Sequence, residues 1–132
     1  MSAALRKLVR QRAAARCEYS RLPDLVSHLM RFHLDHVRAR CHGGPDEPAN
    51  LAWACSRCNA LKGPNLSGVD PDANRVVRLF NPRRDRWTEH FRDTGLRIEP
   101  LTAKGRTTVW LLELNADDRV ALRAALKDLG LL

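Results

Sequence analysis

The 132-residue sequence predicts a small α+β fold. Three observations carry that prediction. A strand, loop, strand, helix order runs through residues 31–63, a basic amphipathic segment precedes it, and mixed strand and helix patterns follow it.

Residues 4–16 set Leu5, Leu8 and Val9 at helical spacing among Arg6, Lys7, Arg10, Arg12 and Arg16, with no Gly or Pro between them. This is a helix whose five charges are all positive, and its charged face is either solvated or turned toward phosphates. Residues 17–30 are irregular around Pro23, after which RFHLDHV alternates like a half-buried strand with Phe32 and Leu34 inward. RCHGGPDEPAN, with its paired glycines and two prolines, reads as a long hairpin loop, and NLAWA as the returning strand. SRCNALKG is then a helix, capped by Ser56 and stopped at Gly63.

Beyond Gly63, PNLSGVDPDANR reads as loop, VVRLF and LRIEPL as strands, and GRTTVWLLEL as either a strand or a short helix. DDRVALRAALKDLGLL is a helix: acidic residues open it, Val120, Leu122, Ala125, Leu126 and Leu129 share one side, and Gly130 follows. Trp53, Trp87 and Trp110 are expected as core anchors, because so few other aromatic residues are present. The length suits one domain, residues 1–132, with a core at 4–63 and an extension at 64–132.

The net charge of +8 comes mostly from arginine, 19 of the 23 basic residues, whose planar fork grips phosphate oxygens in pairs. A polyanion, nucleic acid foremost, is the expected partner. No run approaches the length of a membrane span, and charges interrupt the opening segment where a secretory signal needs apolar residues, so a cytoplasmic protein with no membrane association is expected. In a reducing compartment the Cys55-x-x-Cys58 pair favours a metal over a disulfide. Cys41, in the hairpin loop, is expected to be a simple small residue.

Residues 35–59 hold what phosphodiester hydrolysis requires: a base for the attacking water, and a divalent ion to neutralise charge on the phosphate and the departing oxygen. Asp35 offers a carboxylate and Asn59 a carbonyl oxygen. Such sparse oxygen ligation suits Mg²⁺, or Mn²⁺ in its place, and leaves His36 free as the base. Period-2 alternation sets Asp35 and His36 on opposite faces, so a twist or an end of the strand is needed to bring both near one phosphate.

The pattern Asp35-His36, Asn50, Cys55-x-x-Cys58-Asn59-x-x-Lys62-Gly63 resembles that of the HNH endonucleases of the ββα-metal class. The resemblance covers residues 10–63, and residues 64–129 look like the extension of one bacterial subgroup of that family. It implies a small ββα-metal core with a zinc-knuckle-like clip, preceded by the basic helix and followed by an α/β extension. It also implies His36 as general base, Asn50 holding the imidazole or shaping the loop, Asp35 and Asn59 on the catalytic ion, and products with 5′-phosphate and 3′-hydroxyl ends.

In zinc-bearing members of that family a first Cys-x-x-Cys completes the clip, whereas this chain reads Cys17-Glu18-Tyr19-Ser20. A neutral hydroxyl is a poor zinc ligand. Three outcomes follow: zinc held by Cys17, Cys55 and Cys58 with His28, His33 or water as the fourth ligand, a weak site, or no zinc.

Arg83, Arg84 and Arg86 beside Trp87 either track a nucleic-acid backbone or pair with Asp85, Glu89 and Asp93, and Lys62 is expected to touch a phosphate. No H-x-E, H-E-x-x-H or phosphate-binding glycine loop occurs. The expected function is that of a metal-dependent endonuclease hydrolysing or nicking DNA, with RNA as a second candidate substrate. The competing readings are a non-catalytic nucleic-acid-binding module on a degenerate scaffold, and a structural protein in which the cysteines only staple the fold.

Overall fold

The computed structural model describes residues 1–132 and has the α+β character expected. It divides into two compact units, Met1–Leu66 with Asn81–Asp85, and Ser67–Phe80 with Arg86–Leu132.

The first unit opens with helix α1 (Ala3–Arg12), whose N-terminus is capped by the Ser2 hydroxyl accepting from the Leu5 amide at 3.1 Å. The helix stops at Arg12 because Ala14 and Ala15 turn into the left-handed region, with φ of 53° and 58°. Val9 is buried but Leu8 is exposed, so the apolar stripe is narrower than its sequence suggests.

Several arginines of α1 make bonds within the protein while remaining exposed. Arg10 forks onto Asp24, at 2.5 and 3.0 Å, and Arg12 donates to the Pro48 and Leu51 carbonyls at 2.9 and 2.6 Å. Arg6 lies 4.6 Å over the Trp53 ring.

Strands β1 (Phe32–His36) and β2 (Leu51–Cys55) pair antiparallel, with Phe32 opposite Cys55 and His36 opposite Leu51. Every residue of β2 is buried, and Phe32 stacks on Trp53 at 5.8 Å between ring centres. Leu34 is only half-buried, whereas Asp35 faces the interior. Helix α2 (Ser56–Lys62) follows β2 without a linker. Ser56 therefore does not cap it: Cys55 holds the N-cap position with no side-chain bond, and the Ser56 amide donates to the Arg31 carbonyl at 2.7 Å. Gly63 ends the helix with a φ of 51°.

In the second unit the segment expected as loop contains a strand. β3 (Ser67–Asp70) pairs with β4 (Arg75–Arg78), and the turn is held by Asp70, whose carboxylate accepts from the Asp72 amide at 3.0 Å and whose carbonyl accepts from the Asn74 amide at 2.8 Å. The turn chemistry of its Asp, Asn and Pro residues masked the four-residue strand before it. Helix α3 (Trp87–His90) leads into the hairpin of β5 (Phe91–Asp93) and β6 (Ile98–Pro100).

The ambiguous stretch is helical, α4 (Ala103–Leu111), capped by Thr102 and passing so close to the His90 carbonyl that a Cβ on Gly105 would lie 2.2 Å from it. The last helix, α5 (Asp117–Asp128), buries Arg119, Arg123 and Leu126, while Leu129 is exposed. Its inner face is thus partly arginine rather than a row of aliphatic residues. Trp87 packs on Phe91 in the core, and Trp53 is buried in the first unit. Trp110, expected as a third anchor, is 68% exposed on α4, since the apolar positions of that region that enter the core are Leu112 and Leu114. No helix is long and apolar enough to cross a membrane.

Candidate active site

The end of β1, the hairpin loop and α2 enclose a surface depression of about 320 Å³, lined by Asp35, His36, Ala39, Arg40, Asn59 and neighbouring backbone. Asp35 and His36 point to opposite sides of β1, yet both reach this depression because the strand ends at His36. Asn59 enters from one turn into α2. Asp35, His36 and Asn59, singled out in the sequence, therefore border a single cavity, with the Asp35 carboxylate itself buried behind it.

Asn50 bonds to the loop backbone. Its Oδ1 accepts from the Arg38 amide at 2.9 Å, and its Nδ2 donates to the Arg38 and Pro45 carbonyls, each at 3.0 Å. These three bonds close the loop across its neck. Gly44 is required beside them, because a Cβ there would fall 1.6 Å from the Arg38 carbonyl oxygen and 2.8 Å from Asn50 Nδ2.

His36 is held by a residue that the sequence reading passed over. Its Nε2 lies 2.7 Å from Asp46 Oδ1, and Arg40 forks onto the same carboxylate at 3.1 and 3.0 Å. The His36 and Arg40 hydrogen bonds hold the Asp46 carboxyl below its ordinary range, so it is ionised at neutral pH and acts only as an acceptor. The His36 Nε2 must then be the donor in this contact, so the neutral form of the ring has its lone pair on Nδ1. Nothing in the loop's sequence marked Asp46, since loop length sets no fixed spacing between a histidine and an acid.

Asp35 sits deeper, 3% exposed, and its oxygens have partners: Tyr19 donates to Oδ2 at 2.7 Å, and Lys62 lies 3.3 Å from Oδ1. Burial raises the Asp35 carboxyl above its usual range, against the opposing pull of Lys62 and Tyr19. Burial and the nearby Asp35 charge push the Tyr19 phenol well up, so it stays a donor.

Lys62, expected to reach a phosphate, instead turns inward and also donates to the His36 carbonyl at 2.8 Å. Only 2% of it is exposed, because the buried carboxylate needs a counter-charge more than the surface needs a cation. Arg83 likewise pairs with Glu18, whose other oxygen accepts from the Trp53 amide at 2.8 Å, while Arg84 and Arg86 are exposed.

Cys17, Cys55 and Cys58 are fully buried, and their Sγ atoms lie within 4.8 Å of one another. A tetrahedral zinc with sulfur at about 2.3 Å has sulfur–sulfur edges of about 3.8 Å, so a small contraction fits three of the four positions. Ser20 occupies the fourth side, its Oγ 3.9 Å from Cys55 Sγ and its amide donating to Cys17 Sγ at 3.4 Å. Neither His28 nor His33, two of the three candidates for a fourth ligand, belongs to the cluster: His28 is exposed and His33 lies on β1. Burial raises the Cys17 thiol and pushes that of Cys58 well up, so both are protonated at neutral pH without a metal. Cys41 is exposed and is not part of the cluster.

Residues 17–65 match the family model described as HNH endonuclease. That segment is an HNH domain. It begins at the first cysteine of the cluster and takes in β1, the loop, β2 and α2. The HNH family is one of nucleases, which use divalent metals and act on nucleic acids. The chain is also 34% identical over 71 residues to the Septu protein PtuB of Bacillus thuringiensis, a match that covers 54% of this chain and 25% of that protein. The chain thus spans about a quarter of the length of this relative. No solved structure matches it.

Proposed function

We propose that the chain is a metal-dependent HNH endonuclease that hydrolyses or nicks DNA, with RNA as the other candidate substrate. The observation that carries this reading is the shared cavity: Asp35, His36 and Asn59, distant in sequence, line one depression in an HNH domain. His36 Nδ1 takes the proton of the attacking water, while Asp46 holds the opposite nitrogen as a donor and fixes the ring. Asn50 locks the loop that carries Asp46 and Arg40.

A Mg²⁺ or Mn²⁺ ion held by Asp35 and Asn59 would supply charge neutralisation at the phosphate and the departing oxygen. Cys17, Cys55 and Cys58 would hold a structural Zn²⁺, which would tie the turn after α1 to the start of α2. The first unit carries the chemistry and the exposed Arg84, a candidate backbone contact, and residues 67–80 and 86–132 form the extension, in which Arg86 is exposed.

One observation favours a second reading, a nucleic-acid-binding module without catalysis. Asp35 is already neutralised by the Lys62 ammonium, so a dication must take over from a covalently attached partner. Plasmid cleavage with Mg²⁺ or Mn²⁺ decides between them. His36→Ala should lower the rate by about 10²-fold or more, with comparable losses for Asn59→Ala and Asp35→Asn. Cleavage by His36→Ala at the native rate refutes the assignment of the base. DNA binding without cleavage under any divalent ion establishes the module.

A further inference from the structure

A second cavity on the first unit, about 420 Å³, is lined by Arg6, Ser27, Arg31, Phe32 and His33. It shares no residue with the catalytic depression and sits at the opposite end of β1 from His36. Its lining residues are one-sided in charge: two arginines, a histidine and a serine beside Phe32, with no aspartate or glutamate. Arg6 is held in place, its Cζ 4.6 Å from the Trp53 ring centre and its Nη2 donating to the Phe32 carbonyl at 3.1 Å. A guanidinium has five N–H donors, so this anchoring leaves donors for a ligand and removes most of the entropy cost of presenting them. Arg31 is exposed, and its backbone carbonyl is tied by the Ser56 amide at 2.7 Å, which sets the base of its side chain on the sheet.

We propose that this pocket binds a backbone phosphate of the nucleic acid whose cleavage is assigned to the HNH site, gripping it between Arg6 and Arg31 with Ser27 and His33 as further donors. The proposal rests on the nuclease reading, which supplies the ligand class. Two guanidinium forks with hydroxyl and imidazole donors match the several acceptor oxygens of a phosphodiester, and nothing in the lining reads a base. The contact therefore positions substrate without selecting sequence. From His33 to His36 the strand advances about 10 Å, or about three nucleotide steps along a duplex axis.

The test is binding of a short fluorescein-labelled DNA duplex to the full chain, followed by anisotropy over a range of salt with no added divalent ion, so that nothing is cut. Losing one phosphate contact lowers the slope of log Kd against log salt by about 0.9 and weakens binding about eightfold at about 0.1 M salt. Arg31→Gln should show both changes, Arg31→Glu should exceed them, and Arg31→Lys should keep most of the slope. Arg31 is exposed, so these variants should melt with the native protein, which a thermal scan verifies. If the native chain binds and Arg31→Gln and Arg31→Glu bind equally well with an unchanged slope, the pocket assignment is wrong and the nuclease reading stands. If the native chain binds no nucleic acid, both are wrong.

Discussion

Replacing Lys62 by Met removes the ammonium facing Asp35 and keeps most of the buried aliphatic stem. Lys62 and Asp35 are 2% and 3% exposed, so solvent does little to screen the loss. Removing one member of a buried ion pair costs about 3–5 kcal/mol, because the remaining charge is left uncompensated. Here the lower end, about 3 kcal/mol, is expected, since Tyr19 still donates to Asp35 at 2.7 Å. Urea denaturation of Lys62→Met against the native protein reads this directly, and the double variant Asp35→Asn with Lys62→Met should recover to within about 1 kcal/mol, as no buried charge remains.

The pH dependence of Lys62→Met follows from the direction of the Asp35 shift. Burial already raises this carboxyl in the folded state, so its protonation favours folding, and the contribution is complete below the unfolded-state pKa and lost as pH rises through the raised value. Without Lys62 that value climbs further, so the deficit of the variant should shrink as pH is lowered. A loss under about 1 kcal/mol that does not change with pH would refute the claim that Lys62 serves as the counter-charge of Asp35.

Two further outcomes follow from the loop and the cysteines. Gly44→Ala must displace the Arg38 carbonyl and the Asn50 amide, so it should destabilise by about 2 kcal/mol or more and speed exchange of the Arg38 amide proton, read by hydrogen exchange. Zinc uptake must strip protons from thiols that burial keeps protonated, so competition with a chelator should show affinity rising with pH, and Ser20→Cys should tighten binding and raise the midpoint of thermal unfolding in zinc.

The strand, loop, strand, helix order was legible because β1 and β2 alternate or run apolar, and because Gly63 marks where α2 must stop. β3 was not, since the Asp and Asn residues that build its turn outweigh four residues of weak strand pattern. The burial of Arg119 and Arg123 was equally hidden: arginine defaults to the surface unless a partner is known, and that of Arg123 is the Leu96 carbonyl, 3.2 Å from its Nη1. In the candidate site, the residue types were readable from chemistry, but which side chain faces which was not. Asp35 looked like an open carboxylate and is instead a buried anion with Tyr19 and Lys62, and Asp46 looked like an ordinary loop acid although it grips His36. Both facts depend on contacts across 10 residues or more, beyond the reach of local pattern.

The intramolecular pairing of Arg10, Arg12 and Arg83 separates two quantities that the formal charge of +8 merges. The far field, which draws an anionic polymer in from solution, depends on the total and is unaffected by where each guanidinium points. The count of condensed ions displaced on docking depends only on cations that can still reach a phosphate. On the nuclease reading, the protein should therefore attract a nucleic acid from a distance as strongly as its composition promises, and release it at lower salt than a tally of its arginines would suggest.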